Sequence, residues 1–329
     1  MKIVRFHSIG GPEVLTYEDA PDPKPGPGEV LIKVGAAGVN FADVMRRRGD
    51  PYPETSPLPF TPGGEVAGTV AELGSGVTDL EIGATVYATS RVGGYAQYVV
   101  VPRASVLPIP NGLTASQAAG LVIQGLTALL ALRYSARLAV GETVLVEAAA
   151  GGVGSFAVQL AKLMGAGKVI GLASSKVKRD IALSLGADAV VDYTKPGWSK
   201  EVLELTNGEG AQVILEMTGG SVLGEALESM ASFGRMIVYG QASGFPTSID
   251  PQTLTTKNHA VIGFYIAQFF ATPFIIESAL NELVDYVKSG KVKLDVGLEL
   301  PLSHASEAHS LLENRMTNGK VVLLPWAEE

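Results

Sequence analysis

Cysteine is absent from all 329 residues, and with it go disulfides, thiolate nucleophiles and cysteine-ligated zinc. Histidine is nearly as scarce: His7, His259, His304 and His309 show neither metal-ligand spacing nor a paired carboxylate, so none is assigned chemistry. Positive charge is also short. Lys and Arg number 25 against 33 Asp and Glu, a formal charge of −8, and no cluster supplies the basic field that a nucleic acid or an anionic membrane needs. The expected partners are therefore small molecules. No apolar run reaches about 20 residues; the nearest, "AVIGFYIAQFFATPFII", is shorter and contains Gln268 and Pro273. The start, "MKIVRFHSIGGPEV", lacks an apolar stretch ahead of a small-residue cleavage site, so a soluble cytoplasmic protein is expected.

What is present is a core-forming composition, 47% hydrophobic and only 18% charged, in a chain long enough for two domains. Residues 1 to about 115 are dense in Gly and Pro and carry short β-like runs such as "EVLIKVGAAGV", "EVAGTVAEL", "TVYAT" and "YAQYVVVP", the pattern of a small β-barrel-like domain. Farther on, the apolar runs "ETVLVEA", "KVIGLA", "DAVVDY", "AQVILEM" and "GRMIVYG" alternate with amphipathic segments. That alternation predicts βαβ units on a parallel sheet. The arginine run "MRRRGD" reads as a solvated face, or alternatively as a phosphate clamp for a thioester carrier.

The run "TVLVEA" leads directly into "AGGVG" and then "SFAVQLAKLMGA", whose apolar positions recur at helical spacing. A strand-to-helix turn built from Ala150, Gly151, Gly152, Val153 and Gly154 leaves backbone N–H groups facing outward and room for a pyrophosphate to accept them. The fingerprint is incomplete, since Ala149 stands at the first glycine position. A ligand-free βα turn is the competing reading; the position between a strand and a helix favours a dinucleotide. At the end of the next strand, Ala173, Ser174 and Ser175 replace the carboxylate that binds a ribose 2′-hydroxyl, and Lys176, Lys178 and Arg179 follow. Those cations suit a 2′-phosphate, so NADPH is the expected cofactor.

Taken together, "GPEVLTYEDAPDPKPGPGEVLIKVGAAGVNFADVMRRRG", "PGGEVAGTVAELGSGVTDLEIGATV", "GLTALLAL", "AAAGGVG" and "NGKVVLLP" resemble the medium-chain dehydrogenase/reductase superfamily, in its zinc-free, ζ-crystallin-like quinone oxidoreductase branch. The resemblance implies an α/β chain of two domains. One is a GroES-like β-barrel domain over 1–120 and 267–329, and the other a Rossmann domain with a doubly wound parallel sheet over 121–266. It also implies hydride transfer from NADPH to quinones or α,β-unsaturated carbonyls, with an enoyl-thioester reductase and a crystallin-like binding protein as alternatives. A homodimer is implied as well. The metal ligands of zinc-dependent relatives correspond to Asn40, Gly64 and Ile123, so no metal is expected, while Glu65 reads as a structural hydrogen-bonder.

By the same resemblance, Asn40 lies beside the nicotinamide and the substrate carbonyl, although on its own it reads as turn chemistry. Thr127 lies near the carboxamide; Lys178, Tyr193 and Arg315 hold the 2′-phosphate end; Gly240 and Phe264 line the cofactor. Met45 replaces an active-site tyrosine of many members, leaving Tyr52 as the candidate proton donor or else a pocket wall.

Overall fold

The computed structural model describes residues 1–109, 112–245 and 247–328. In chain order it runs through β1 (Lys2–Phe6), β2 (Leu15–Asp19), β3 (Glu29–Val39), α1 (Phe41–Arg48), β4 (Glu65–Leu73), β5 (Thr85–Thr89), β6 (Tyr98–Pro102), β7 (Val106–Pro108) and α2 (Ala115–Leu130). It continues with β8 (Thr143–Val146), α3 (Gly152–Leu163), β9 (Lys168–Leu172), α4 (Lys176–Ser184), β10 (Ala189–Val191), α5 (Trp198–Leu205), β11 (Ala211–Glu216), α6 (Gly220–Glu228) and β12 (Met230–Val238). Last come α7 (Pro251–Thr255), β13 (Ala260–Gly263), α8 (Pro273–Lys288), β14 (Val296–Pro301), α9 (Ala305–Glu313) and β15 (Lys320–Leu324).

Two compact units result, Met1–Val122 with Asp295–Glu329, and Ile123–Leu294, the division falling within α2. Residues 267–294, expected from the sequence in the first domain, belong instead to the second unit. The reason lies in their contacts: α8 buries Ile276, Ala279, Leu283 and Val284, and its Glu282 is gripped in a bidentate pair by Arg133, at 2.7 Å on each arm.

In the first unit the sheet order is β14-β15-β3-β4-β5-β7, with β6 also on β3. β14 and β15 are parallel; β3, β4, β5, β6, β7 and β15 pair antiparallel. One face of β3 packs Val30, Ile32 and Val34 with Phe6, Phe60, Val66 and Val101. The other presents Ala36 beside Val322 and beside Ala67, Ala118 and Ala119, small residues that let the start of α2 lie close.

In the second unit six parallel strands run β10-β9-β8-β11-β12-β13, the doubly wound arrangement in which the order reverses between β8 and β11. Both faces are covered, which is why these strands read as continuous apolar runs. Leu145, Ile170, Leu172, Val191, Ile214 and Met236 form the core with Trp198 of α5. Among the described residues one helix, Ala115–Ser135, is long and apolar enough to cross a membrane, but 83% of its apolar 18-residue stretch is buried, as expected of a core helix.

Candidate active site

The crevice at a strand-order reversal is where open α/β sheets take ligands, and the glycine turn occupies that place between β8 and α3. Ala148 sits at φ 48°, a left-handed conformation that costs a residue with a Cβ about 1–2 kcal/mol. Gly151 caps α3 with extended backbone and no side-chain cap, so no side chain competes with an anion for the first-turn N–H groups. Val153 and Gly154 lie in that first turn. A Cβ on Gly154 would fall 2.1 Å from Ala148 O, and one on Gly152 would fall 2.9 Å from Gln124 Cγ. Ala150 is buried beneath. Uncapped donors over a cradle that a side chain would fill are what a dinucleotide pyrophosphate needs, so the residues present fit the group.

Ser174 and Ser175 follow β9, and Ser175 caps α4, its hydroxyl accepting from Lys178 N at 3.3 Å. Lysines at a helix start oppose the dipole, yet Lys176 pairs with Asp180 at 2.6 Å and Arg179 with Asp192 at 3.0 Å, next to Tyr193. Arg179 is thus committed to a carboxylate, and both it and Lys178 are half-buried. Gly240 approaches Met217 so closely that a Cβ would lie 3.0 Å from its carbonyl oxygen. Phe264, buried, stacks on Phe269 with ring centroids 5.4 Å apart, and Thr127 is buried on α2. Ala150, Gly151, Gly152, Val153, Gly154, Thr127, Ser174, Ser175, Lys178, Tyr193, Gly240 and Phe264 all fall in the second unit. Arg315 does not: it is exposed in the first unit at φ 58°.

Sequence reasoning missed a carboxyl pair at the same sheet reversal. Glu147 directly follows β8 and Glu216 ends β11, both buried. Glu147 Oε2 accepts from the backbone N–H groups of Met217 and Thr218, each at 3.1 Å, while Glu216 Oε1 accepts from Thr218 at 3.0 Å and from Gly219. Both carboxyls therefore reach one nitrogen, and their remaining oxygens, Glu147 Oε1 and Glu216 Oε2, are buried without a hydrogen-bond partner. Burial, and for Glu147 also the charge of Glu216, pushes the carboxyls up to about 8 and about 7. Burial and these two carboxyls also keep the nearby Tyr239 phenol protonated. Only strand order could have revealed the pair, because its members lie far apart in the chain.

The native state accordingly holds protons that an unfolded chain has lost above the ordinary value of 4.5. Stability should fall as pH rises from about 5 and level off above about 8. Glu147→Gln keeps the hydrogen-bonding capacity and removes one charge. It should flatten this fall and leave the protein more stable at pH 8.5 by about 1–3 kcal/mol in thermal or urea unfolding. Parallel pH–stability curves for the two proteins would show that the pair carries no shared proton.

In the first unit, Asn40 follows β3 and precedes α1; its backbone N–H donates to Asp43 Oδ2 at 2.9 Å. Its side-chain Nδ2 donates to Glu65 Oε1 at 2.9 Å, and its Oδ1 accepts from Lys320 Nζ at 2.9 Å. Burial raises the Asp43 carboxyl, which also accepts from Gly63 N at 3.0 Å. Tyr95 joins Asp43 to His309, its hydroxyl 3.0 Å from His309 Nε2. Burial and then Arg47 push that imidazole down to about 3, so it is neutral, a packed core group rather than a base.

The arginine run contradicts its sequence reading. Arg46 is 5% exposed and Arg47 fully buried. Arg46 bonds Ser56 Oγ at 3.2 Å and the Glu54 carboxylate, and its guanidinium lies 4.3 Å over the Tyr52 ring. Arg47 pairs with Glu313 at 2.6 Å. Acidic partners outside the run remove it from solvent. Tyr52 is thereby held half-buried under a cation, in the first unit with Asn40.

Residues 26–111 match the alcohol dehydrogenase GroES-like domain family and residues 152–284 the zinc-binding dehydrogenase family. The chain is 36% identical to a quinone oxidoreductase of Pseudomonas aeruginosa, with 98% of this chain and 99% of the relative covered. It is 34% identical to quinone oxidoreductase 1 of Escherichia coli, over 98% and 99% of the two chains. The crystal structure of an Escherichia coli quinone oxidoreductase complexed with NADPH superposes with a TM-score of 0.93 at 32% identity, covering 99% of this chain and all of that one.

Proposed function

The chain belongs to the medium-chain dehydrogenase/reductase superfamily, in its quinone oxidoreductase branch, and from that premise we propose that it is an NADPH-dependent, metal-free reductase of quinones or α,β-unsaturated carbonyls. As a member of that branch it is an oxidoreductase. The observation that carries the finer reading is the uncapped cradle of Gly151, Gly152 and Gly154, placed at the sheet reversal.

When bound, NADPH supplies the hydride. The chain's own residues do the rest. Gly151, Gly152, Val153 and Gly154 would hold the pyrophosphate through backbone N–H groups, with Ala150 buried beside them. By the family resemblance, Lys178, Tyr193 and Arg315 would hold the 2′-phosphate end, Ser174 and Ser175 would bind the cofactor too, Thr127 would lie near the carboxamide, and Gly240 and Phe264 would line the cofactor. Asn40 offers an amide N–H to a substrate oxygen gaining negative charge, and Tyr52 is the candidate proton donor. At the three positions where zinc-dependent relatives hold metal, Asn40, Gly64 and Ile123 offer no usual ligand. The thioester alternative relied on a basic patch at Arg46–Arg48; the burial of Arg46 and Arg47 favours quinones and enones over it.

NADPH should bind at least about tenfold more tightly than NADH, equivalent to about 1.4 kcal/mol, and Lys178→Ala should narrow the gap. Fluorescence titration with both nucleotides reads this directly, and equal affinities in the unmutated protein would refute the cofactor assignment. NADPH oxidation is then followed against quinones, enals and crotonyl thioesters, with and without chelator, on the species resolved by light scattering. The proposal expects a soluble, cytoplasmic homodimer that turns over quinones or enals irrespective of chelator. No turnover on any acceptor would leave a binding protein.

A further inference from the structure

Lys320 opens β15 with its side chain only 3% exposed, and Glu65 opens β4 with none exposed. An ammonium has three donors and no acceptor. Here all three are used: Lys320 Nζ donates to Val39 O at 3.0 Å, to Asn40 Oδ1 at 2.9 Å and to Glu65 Oε1 at 2.6 Å. Lys320 consequently has no donor left for a substrate and can act only through the groups it holds. Glu65 accepts from Asn40 Nδ2 at 2.9 Å through Oε1 and from the Tyr87 hydroxyl at 3.2 Å through Oε2.

The Asn40 amide thus spans a group that can only donate and a group that can only accept. Turned over, it would set NH₂ against ammonium and carbonyl oxygen against carboxylate, two repulsive contacts in a buried place. One orientation survives. The charge-assisted bond to Oδ1 also draws electron density from the amide and makes its N–H groups stronger donors. We propose that Lys320 and Glu65 are positioning residues that lock and polarise the Asn40 amide, so that it meets the substrate carbonyl as a donor of fixed direction and enhanced strength. The inference rests on the reading of Asn40 as that donor. Because the cation and the carboxylate balance, the lock adds no net charge beside the reacting centre.

A double-mutant cycle tests it. Lys320→Met should lower kcat for quinone reduction by about 10- to 100-fold. In an Asn40→Ala background the same change should cost less than about twofold, because there is no amide left to hold. An equal loss in both backgrounds would mean that Lys320 only supports the fold, and would overturn the proposal. Lys320→Met leaves Glu65 charged and buried, so the uncharged pair Lys320→Met with Glu65→Gln provides a second variant, for which the same pattern is expected. A readout without cofactor is the side-chain amide resonance of Asn40 in ¹⁵N-asparagine-labelled protein, assigned by its loss in Asn40→Ala. It should be slow to exchange in the parent, and shifted and fast in both Lys320 variants. An unmoved resonance overturns the lock even if Asn40 is the donor, whereas full turnover by Asn40→Ala removes the donor reading and this proposal with it.

Discussion

Asn40→Ala should lower kcat for quinone or enone reduction by about 10- to 1000-fold, the scale for losing one donor to a developing negative charge, while NADPH affinity stays nearly unchanged. The surroundings limit what else the substitution disturbs. Lys320 and Glu65 still face each other at 2.6 Å, so no buried charge is stranded. The backbone N–H of residue 40 still donates to Asp43, which keeps half of the capping box at the start of α1. The other half, the Asn40 side chain accepting from the N3 backbone N–H, is lost, so a drop in stability of about 1 kcal/mol should accompany the kinetic effect. The loss should appear in kcat and kcat/KM together, as for an interaction made mainly in the transition state. If Asn40→Ala turned over at the parent rate, the site in the first unit would have to be sought elsewhere, with Tyr52 the remaining candidate.

How much of this was legible depended on whether the signal was local. The five apolar runs read as strands became β8, β9, β10, β11 and β12, because a strand buried on both faces declares itself in its own few residues. The sixth strand was hidden. "AVIGFYIAQFFATPFII" read as one apolar run, but it contains β13, a 3₁₀ turn over Ile266–Ala271 and the start of α8. With no polar residue at a fixed interval, the run has no period from which to divide it. The boundary of the second unit was misplaced for a related reason: the Arg133–Glu282 pair that ties α8 to the end of α2 is a long-range contact.

The polar site followed the same rule. The glycine turn was visible, since its residues are contiguous and their smallness is the signal. Lys320 was visible only as part of the "NGKVVLLP" mark; its role appears once β15 pairs with β3 and sets Lys320 beside Val39 and Asn40. Glu147 follows an apolar strand and Glu216 ends one, where a carboxylate looks like an ordinary boundary. Only the insertion of β11 beside β8 makes them neighbours. The arginines failed in the opposite sense, because a charged run is assigned to solvent unless its counter-ions are known, and Glu54 and Glu313 lie outside it.

Gly154→Ala should be the most damaging single-methyl change in the cofactor-binding unit. The added Cβ would fall 2.1 Å from Ala148 O, 2.7 Å from Ala148 C and 2.9 Å from Ala149 Cα, all backbone atoms that no rotamer change can move away. Relief would require α3 to withdraw from the end of β8, against the packing of Phe156, Ala157 and Leu160, which are buried on the same helix. Ala148, already left-handed at φ 48°, has little conformational freedom to give. The overpacking should destabilise this unit by about 3 kcal/mol, a fall in Tm of roughly 6–12 °C for a unit of this size. NADPH affinity should fall further still, at least about 100-fold, since withdrawal of α3 moves the N–H donors that the pyrophosphate would meet. Gly151→Ala is the control: its Cβ would come no nearer than 3.2 Å to Ala148 O and its φ of −87° suits any residue, so its Tm should drop far less. Differential scanning calorimetry and nucleotide titration of both variants separate the effects. A Gly154→Ala protein that melts and binds NADPH like the parent would mean that the close approach of α3 to β8 is not what builds the cofactor cradle.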